Sequence, residues 1–169
     1  PGVKLVPEDP VARAHMRIWS KFVDEYFCPA LSRIGWSVLI PKIAARLKAG
    51  ELDEALKKIP LEEQRQKWLA AANESFTEEE LSDARRKVCV SIERMERILE
   101  KSEWLAGDEY TLADVNTYSM AASVPRLVPE AMNEEKTPRS MAWLEKMNAR
   151  PAVQEALATS RMTETGTEK

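Results

Sequence analysis

Six residues, Tyr110-Thr111-Leu112-Ala113-Asp114-Val115, constrain the fold of this chain more than any other segment, because they form a complete helix-start device. As N-cap, Thr111 accepts from the amide of Asp114 through its hydroxyl, and the Asp114 carboxylate accepts in return from the Thr111 amide. Tyr110 before the cap and Val115 four positions after it are placed as a hydrophobic staple. The device recurs at Phe76-Thr77-Glu78-Glu79-Glu80-Leu81, where Glu80 answers Thr77 and Leu81 answers Phe76. A chain that starts helices this explicitly, with no run of convincing period-two alternation, is all-α.

Glycine and proline set the remaining boundaries. After an extended entry, Asp9 as cap and Pro10 in the first turn open a long helix. At a hundred degrees per residue, Val11, Ala14, Ile18, Trp19, Phe22, Val23 and Tyr26 share one broad face, opposite Arg13, Arg17, Ser20, Lys21 and Asp24. Pro29 is expected to kink or interrupt this helix, a second piece runs from Ala30 to about Leu39, and Pro41 marks another bend before Ile43–Leu47. Two short amphipathic pieces follow, near Leu52–Ile59 and Leu61–Asn73. The helix launched at Thr77 carries a core stripe of Leu81, Ala84, Val88, Ile92, Met95 and Leu99. The Thr111 helix is expected to end near Pro125. Thr137-Pro138 opens a helix bearing Trp143, Leu144 and Met147, and Arg150-Pro151 opens the last one. The expected division is residues 1–9 as an entry linker, 10–160 as one helical domain and 161–169 as a frayed polar tail.

Composition excludes several function classes. A net charge of -3 gives no electrostatic footprint for nucleic acid or an anionic membrane. No apolar run approaches the roughly 20 residues of a membrane span. A basic-then-apolar leader is missing, which favours the cytoplasm. Cys28 and Cys89 imply no disulfide framework and read as two reduced, buried thiols. With His15 the only histidine and no Cys-x-x-Cys pair, no metal site is expected, and neither is a Ser-His-Asp or Cys-His arrangement.

The order Trp104-Leu105-Ala106-Gly107-Asp108, then Thr111-x-x-Asp114, then Asn148-Ala149-Arg150-Pro151-Ala152-Val153 resembles the C-terminal domain of the glutathione transferases. The resemblance covers nearly the whole chain. In that family a buried Ser/Thr-x-x-Asp cap nucleates the central helix of an all-α domain, and a thioredoxin-like α/β domain precedes it. Pro1–Pro10 resembles the interdomain linker, so the chain reads as the C-terminal helical bundle with the thioredoxin-like domain absent. More selective segments resemble the bacterial glutathione-dependent β-etherases that cleave lignin-derived aryl ethers. These are Met16-Arg17-Ile18-Trp19, Asp24-Glu25-Tyr26-Phe27, Ile34-Gly35-Trp36, the long connection from Ser37 to Phe76 with Gln64, Lys67-Trp68 and Asn73, and Glu135-Lys136-Thr137-Pro138 ahead of Trp143-Leu144.

The resemblance implies attack of the glutathione thiolate on the carbon bearing an aryloxy group, with release of a phenol. Glutathione would be bound mainly by the missing domain, so the chain itself holds no catalytic and no glutathione-binding residue and is expected to be inactive alone. Its contribution would be an apolar wall for an aromatic substrate: Trp19, Val23, Tyr26, Phe27 and Trp36. Core packing produces the same aromatic stripe. Tyr26 stands out because its hydroxyl can meet a substrate oxygen while its ring packs. His15 reads as a satisfied buried imidazole or a contact to the absent domain, and Thr111 and Asp114 as a structural cap. Expected partners are an aromatic small molecule, the thioredoxin-like domain and a second copy in a homodimer. The rival reading is a non-catalytic protein-interaction module of the same shape.

Overall fold

The computed structural model describes residues 4–48, 50–73 and 76–159; the beginning of the expected linker, at residues 1–3, and the expected tail at 161–169 lie outside them. Among the described residues the secondary structure is helical, with one isolated bridge between Trp104 and Gly107. The helices are α1 (Pro10–Phe22), a π-helical turn (Val23–Phe27), α2 (Cys28–Ala44), α3 (Glu51–Lys57), α4 (Glu62–Ala72), α5 (Glu78–Leu99), α6 (Leu112–Ala121), α7 (Val124–Leu127), α8 (Pro138–Asn148) and α9 (Pro151–Thr159). No helix among the described residues is long and apolar enough to cross a membrane. The chain divides into two compact units, residues up to Lys21 with Ile92 onward, and Phe22–Ser91.

In the first unit, the Asp9 carboxylate accepts from the Ala12 amide at 2.7 Å and caps α1 as its position before Pro10 requires. The entry segment is tied down by its backbone. The Leu5 carbonyl accepts from the Leu112 amide at 3.0 Å, and Arg13 donates to the carbonyls of Pro7 and Glu8. The core of this unit gathers Met16, Trp19, Ile92, Met95, Leu105, Val124, Val128, Met132, Trp143 and Met147, all nearly inaccessible to solvent. The Thr111 helix ends earlier than expected, at Ala121; Pro125 sits in the first turn of the separate α7, where its missing amide leaves no bond unmade.

α8 is started by a residue from another helix. Thr137 makes no cap bond with its side chain, which is engaged with the Asn133 backbone instead. The Glu96 carboxylate of α5 accepts from the Arg139 and Ser140 amides at 3.1 and 2.8 Å and from the Ser140 hydroxyl at 2.7 Å. A negative charge placed on the free amides of a first helical turn is favourable for the helix dipole as well as for hydrogen bonding.

In the second unit neither Pro29 nor Pro41 interrupts the helical course. α1 runs into the π turn and on into α2 without interruption, and Pro41 lies inside α2. The reason at Pro29 is one of register. The Cys28 amide bonds the Val23 carbonyl five residues back, and the wider turn relieves the clash a proline ring makes with the carbonyl four residues before it. Gly50, at φ 86°, turns the chain into α3, and α4 packs back on α2. The Thr77 box forms as its sequence dictates. The Glu80 amide donates to Thr77 Oγ1 at 3.2 Å and the Thr77 amide to the Glu80 carboxylate at 2.9 Å.

Burial alone would raise the Glu96 pKa, but the donors from Ser140 and Arg139 outweigh it and hold the carboxyl below its usual value. A depressed folded pKa contributes stability that is complete above the unfolded value and is lost as pH falls through the folded one. Glu96→Gln is therefore expected to lower stability by about 1–2 kcal/mol at neutral pH, with the gap narrowing below about pH 4. Urea denaturation of both proteins at stepped pH checks this.

Candidate functional site

Five side chains were nominated by the sequence for an aromatic-binding wall, and the structure places them differently. Trp19 belongs to the first unit and is buried there at 3% exposure, its indole N–H donating to Thr117 Oγ1 at 2.7 Å. The Thr117 hydroxyl donates in turn to the Ala113 carbonyl at 2.6 Å, so the indole is locked to α6. Arg94 lies over the Trp19 ring at 5.4 Å. Val23, Tyr26, Phe27 and Trp36 belong to the second unit. Val23 and Phe27 are each 2% exposed and act as core. Tyr26 and Trp36 are half-buried, with part of each ring accessible.

The π turn decides how Tyr26 is presented. Its ring stacks on Phe22 at 5.3 Å and 23°, and Lys87 of α5 sits 6.0 Å from its centroid. The Arg86 guanidinium interacts electrostatically with the phenol and also pairs with Asp83 at 2.6 Å. A small cavity of about 100 Å³ opens beside it between Pro29, Arg33, Asp83 and Lys87. π turns are rare and occur disproportionately at functional sites. Trp36 meets a partner the wall did not include: Trp68 of α4, at 5.5 Å between centroids and tilted by 47°. Thirty-two positions of sequence separate the two indoles, and only the return of α4 onto α2 joins them.

His15 is exposed, not buried as a satisfied imidazole, because α1 turns it to solvent together with Val11 and Ile18, which are 62% and 58% exposed. In the first unit it borders a broad cavity of about 860 Å³ between the entry segment and residues 106–111, and a narrower one of about 270 Å³ with Ile18, Arg94 and Ile98. The broad arc expected on α1 is thus split, Met16 and Trp19 inward and Val11, His15 and Ile18 outward. Cys28 and Cys89, expected as buried thiols, are half-buried. Among the described residues no group of histidine, cysteine or carboxylate side chains is arranged to hold a metal ion.

The structural cap is more extensive than its sequence motif. Thr111 Oγ1 accepts from the Ala113 amide at 3.2 Å within a complete capping box. Asp114 Oδ2 accepts from the Thr111 amide at 3.0 Å, and Oδ1 accepts from the Leu105 amide at 3.1 Å and the Trp143 indole at 3.0 Å. Val115 is 38% exposed, while Tyr110 packs edge-on against Trp104 at 5.1 Å and lies under Arg150 at 3.5 Å. Lys146 covers Trp104 at 3.7 Å. The Trp104–Asp108 and Asn148–Val153 segments therefore meet through stacked rings and cations. Gly107, at φ 133°, closes the Trp104 turn with two backbone bonds to Trp104.

Residues 27–151 match the family model of the glutathione S-transferase C-terminal domain. The chain is 42% identical over 164 residues to Protein LigF of Sphingobium sp. strain SYK-6, covering 95% of this chain and 63% of that protein. The crystal structure of beta-etherase LigF from the same strain superimposes with a TM-score of 0.86, covering 94% of this chain and 67% of that one. Glutathione S-transferase F13 of Arabidopsis thaliana is 26% identical over 145 residues, covering 86% of this chain and 53% of that protein. Apo glutathione S-transferase III, at 22% identity and a TM-score of 0.64, shares the fold over 94% of this chain and 59% of its own. The chain thus spans less than two thirds of the length of these two curated relatives.

Burial raises the Asp114 carboxyl above its ordinary value, against the pull of the donors from Thr111, Trp143 and Leu105. The folded state holds this proton more tightly than the unfolded chain. From this group alone, stability declines as pH rises from about 4 through the raised value and is level above it. At neutral pH, Asp114→Ala strands three buried N–H donors and is expected to cost about 3 kcal/mol, well above a surface cap. A melting temperature equal to that of the parent chain would remove Asp114 from its structural role.

Proposed function

Because the chain belongs to the glutathione S-transferase C-terminal domain family, we propose that it is the substrate-side domain of a glutathione transferase that cleaves β-aryl ethers. The observation that carries this reading is the 42% identity to LigF across 95% of the chain, with the beta-etherase crystal structure matching it at TM-score 0.86. Of the side chains expected for the apolar wall, Tyr26 and Trp36 are half-buried and so accessible in part, whereas Trp19, Val23 and Phe27 are buried.

Glutathione, held by a preceding thioredoxin-like domain, supplies the thiolate whose sulfur bonds to the carbon beside an aromatic ketone as the aryloxy group leaves as phenolate. A free thiol titrates near 8.5, so its ionisation at neutral pH needs donors or a helix N-terminus close by. We assign that task to the preceding domain and name no catalytic residue in this chain. The residues present here bind and orient. The Tyr26 ring is accessible in part, and its hydroxyl would donate to the ether or carbonyl oxygen as negative charge develops there.

The outward stripe of Val11, His15 and Ile18 and the broad cavity beside it form the surface we assign to contact with that preceding domain. Residues 1–9 then act as its connector, 10–160 as the helical domain, and 161–169 as a tail. A cytoplasmic homodimer is the assembly this reading entails.

Joined to its native upstream sequence, the chain is expected to release phenol from a fluorogenic β-aryl ether ketone only when glutathione is present. Tyr26→Phe should then lower kcat/KM about tenfold, the loss of one hydrogen bond to a developing charge. No release with turnover of a generic electrophile would leave a transferase of other specificity; silence on both would favour an interaction module. The 169-residue chain alone is expected to give no one-site isotherm with glutathione below millimolar levels in calorimetry.

A further inference from the structure

The narrow cavity of about 270 Å³ in the first unit is walled by α1, by the C-terminal part of α5 and by the turn at 102–107. Each wall is fastened by a bond of its own. The Trp19 indole is tied to Thr117 at 2.7 Å, and the Leu105 amide to Asp114 at 3.1 Å. The Ser102 hydroxyl lies 3.0 and 2.9 Å from the carbonyls of Ile98 and Trp104, which joins the end of α5 to the turn. Trp19 and Leu105 are each 3% exposed, so the floor belongs to the packed core. A floor already ordered costs no ordering when a ligand binds.

Ile18, Trp19, Ile98 and Leu105 make the walls apolar, and the two ionisable side chains on them, Arg94 and His15, are both bases. Among the described residues that line the cavity, none is acidic. The Arg94 guanidinium lies over the Trp19 ring at 5.4 Å. Stacking engages the face of a guanidinium and leaves hydrogen bonding to its edge, whose fork matches a carboxylate. An imidazole such as that of His15 carries an N–H donor in either protonation state. The broad cavity next to it is opposite in sign, with Glu8, Asp9, Asp108 and Glu109 along it. His15, Ala106 and Gly107 line both cavities and stand between them. The four carboxylates are exposed, where water and salt screen them from the narrow cavity.

We propose that this cavity is a binding site for a single-ring aromatic carboxylate, its ring between Ile18, Ile98 and Leu105 and its carboxylate on Arg94 and His15. The volume sets the size. At about 270 Å³ the cavity lies just under the roughly 300–1,000 Å³ of sites that take drug-sized ligands, and it admits one ring. An aliphatic anion forgoes the apolar walls, and a neutral ring forgoes the charge-assisted bonds. The site goes beyond the proposed aryl ether cleavage, since it needs neither glutathione nor a preceding domain. It is also separate from Tyr26, which belongs to the second unit. The surface assigned to the preceding domain extends along the broad cavity on the other side of His15. The ligand therefore lies beside that contact and shares with it only the rim residues His15 and Ile18.

Titration of benzoate into the uniformly ¹⁵N-labelled 169-residue chain tests this, with the amide, indole and Arg94 Nε–H resonances assigned. Concerted, saturable shifts are expected at Trp19, Arg94, Ile98 and Leu105, saturating at about millimolar benzoate, the scale for so small a ligand. Benzamide, which keeps the ring without the charge, and acetate, which keeps the charge without the ring, should each bind about tenfold more weakly. Arg94→Gln should weaken benzoate about tenfold and leave benzamide unchanged, while Arg94→Lys, which keeps the charge but not the fork, should cost about threefold. No saturable shift, or shifts confined to residues outside the cavity, would overturn the assignment. Equal binding of benzoate and benzamide would remove the role of Arg94, and with it the proposed ligand class. Glutathione binding the same residues as tightly as benzoate would also sink the proposal, since it would make this a glutathione site. If Arg94→Gln does not fold, the ranking of benzoate, benzamide and acetate on the parent chain decides.

Discussion

The carboxylate of Asp114 is the interaction on which the first unit depends. Fully buried, it accepts from the loop at Leu105, from the start of its own helix at Thr111, and from the indole of Trp143 on α8. One side chain therefore fixes the entry of α6, the loop before it and the position of α8. A buried carboxylate is costly unless its acceptor sites are used, and here three N–H donors and the Thr111 hydroxyl converge on it. Around this centre the Trp104 turn, Tyr110, Lys146 and Arg150 close by ring stacking and cation–π contact. Tyr118 adds a bond from its hydroxyl to Asn148 at 2.7 Å. Segments far apart in sequence thus share one polar centre, to which the Trp104–Asp108 and Thr111–Asp114 motifs both contribute.

The second unit solves a different problem, how to carry a long helix past prolines. A proline inside an α-helix removes one bond and presses on a carbonyl. At Pro29 the chain answers with a π turn; at Pro41, close to the C-terminal end of α2, one bond is forgone. The π turn also adds one residue to the helical count, so it resets which side chains share a face below it. Val23 and Phe27 turn inward and Tyr26 is left at the boundary, stacked on Phe22 beneath Lys87. The same local accommodation that keeps the helix whole leaves the Tyr26 ring partly accessible.

Legibility from sequence varied by element for physical reasons. The Thr77 and Thr111 boxes, the Asp9 cap and the proline starts of α8 and α9 are decided within four or five residues, and all form. Neither proline interrupts the helix, because a π turn accommodates Pro29 and Pro41 lies close to the C-terminal end of α2. The spacing along α1 predicts one apolar face, yet its residues divide between core and surface. Periodicity reports that a face is apolar and not what lies against it. The Glu96 cap of α8 and the Trp36–Trp68 pair were invisible, since each joins residues from separate helices and neither belongs to a spaced motif.

What the sequence by itself determined is the helical class, the helix starts and the family, because capping, helical period and motif order are short-range properties written into neighbouring residues. What only the tertiary structure decided is which aromatic side chains remain accessible. Trp19 is consumed by Thr117 and the core, while Tyr26 and Trp36 keep part of their rings at the surface. Trp68 joins Trp36 through the return of α4. Burial is a property of the whole packing arrangement, and the same indole at the same helical spacing becomes core or surface according to what another segment brings against it.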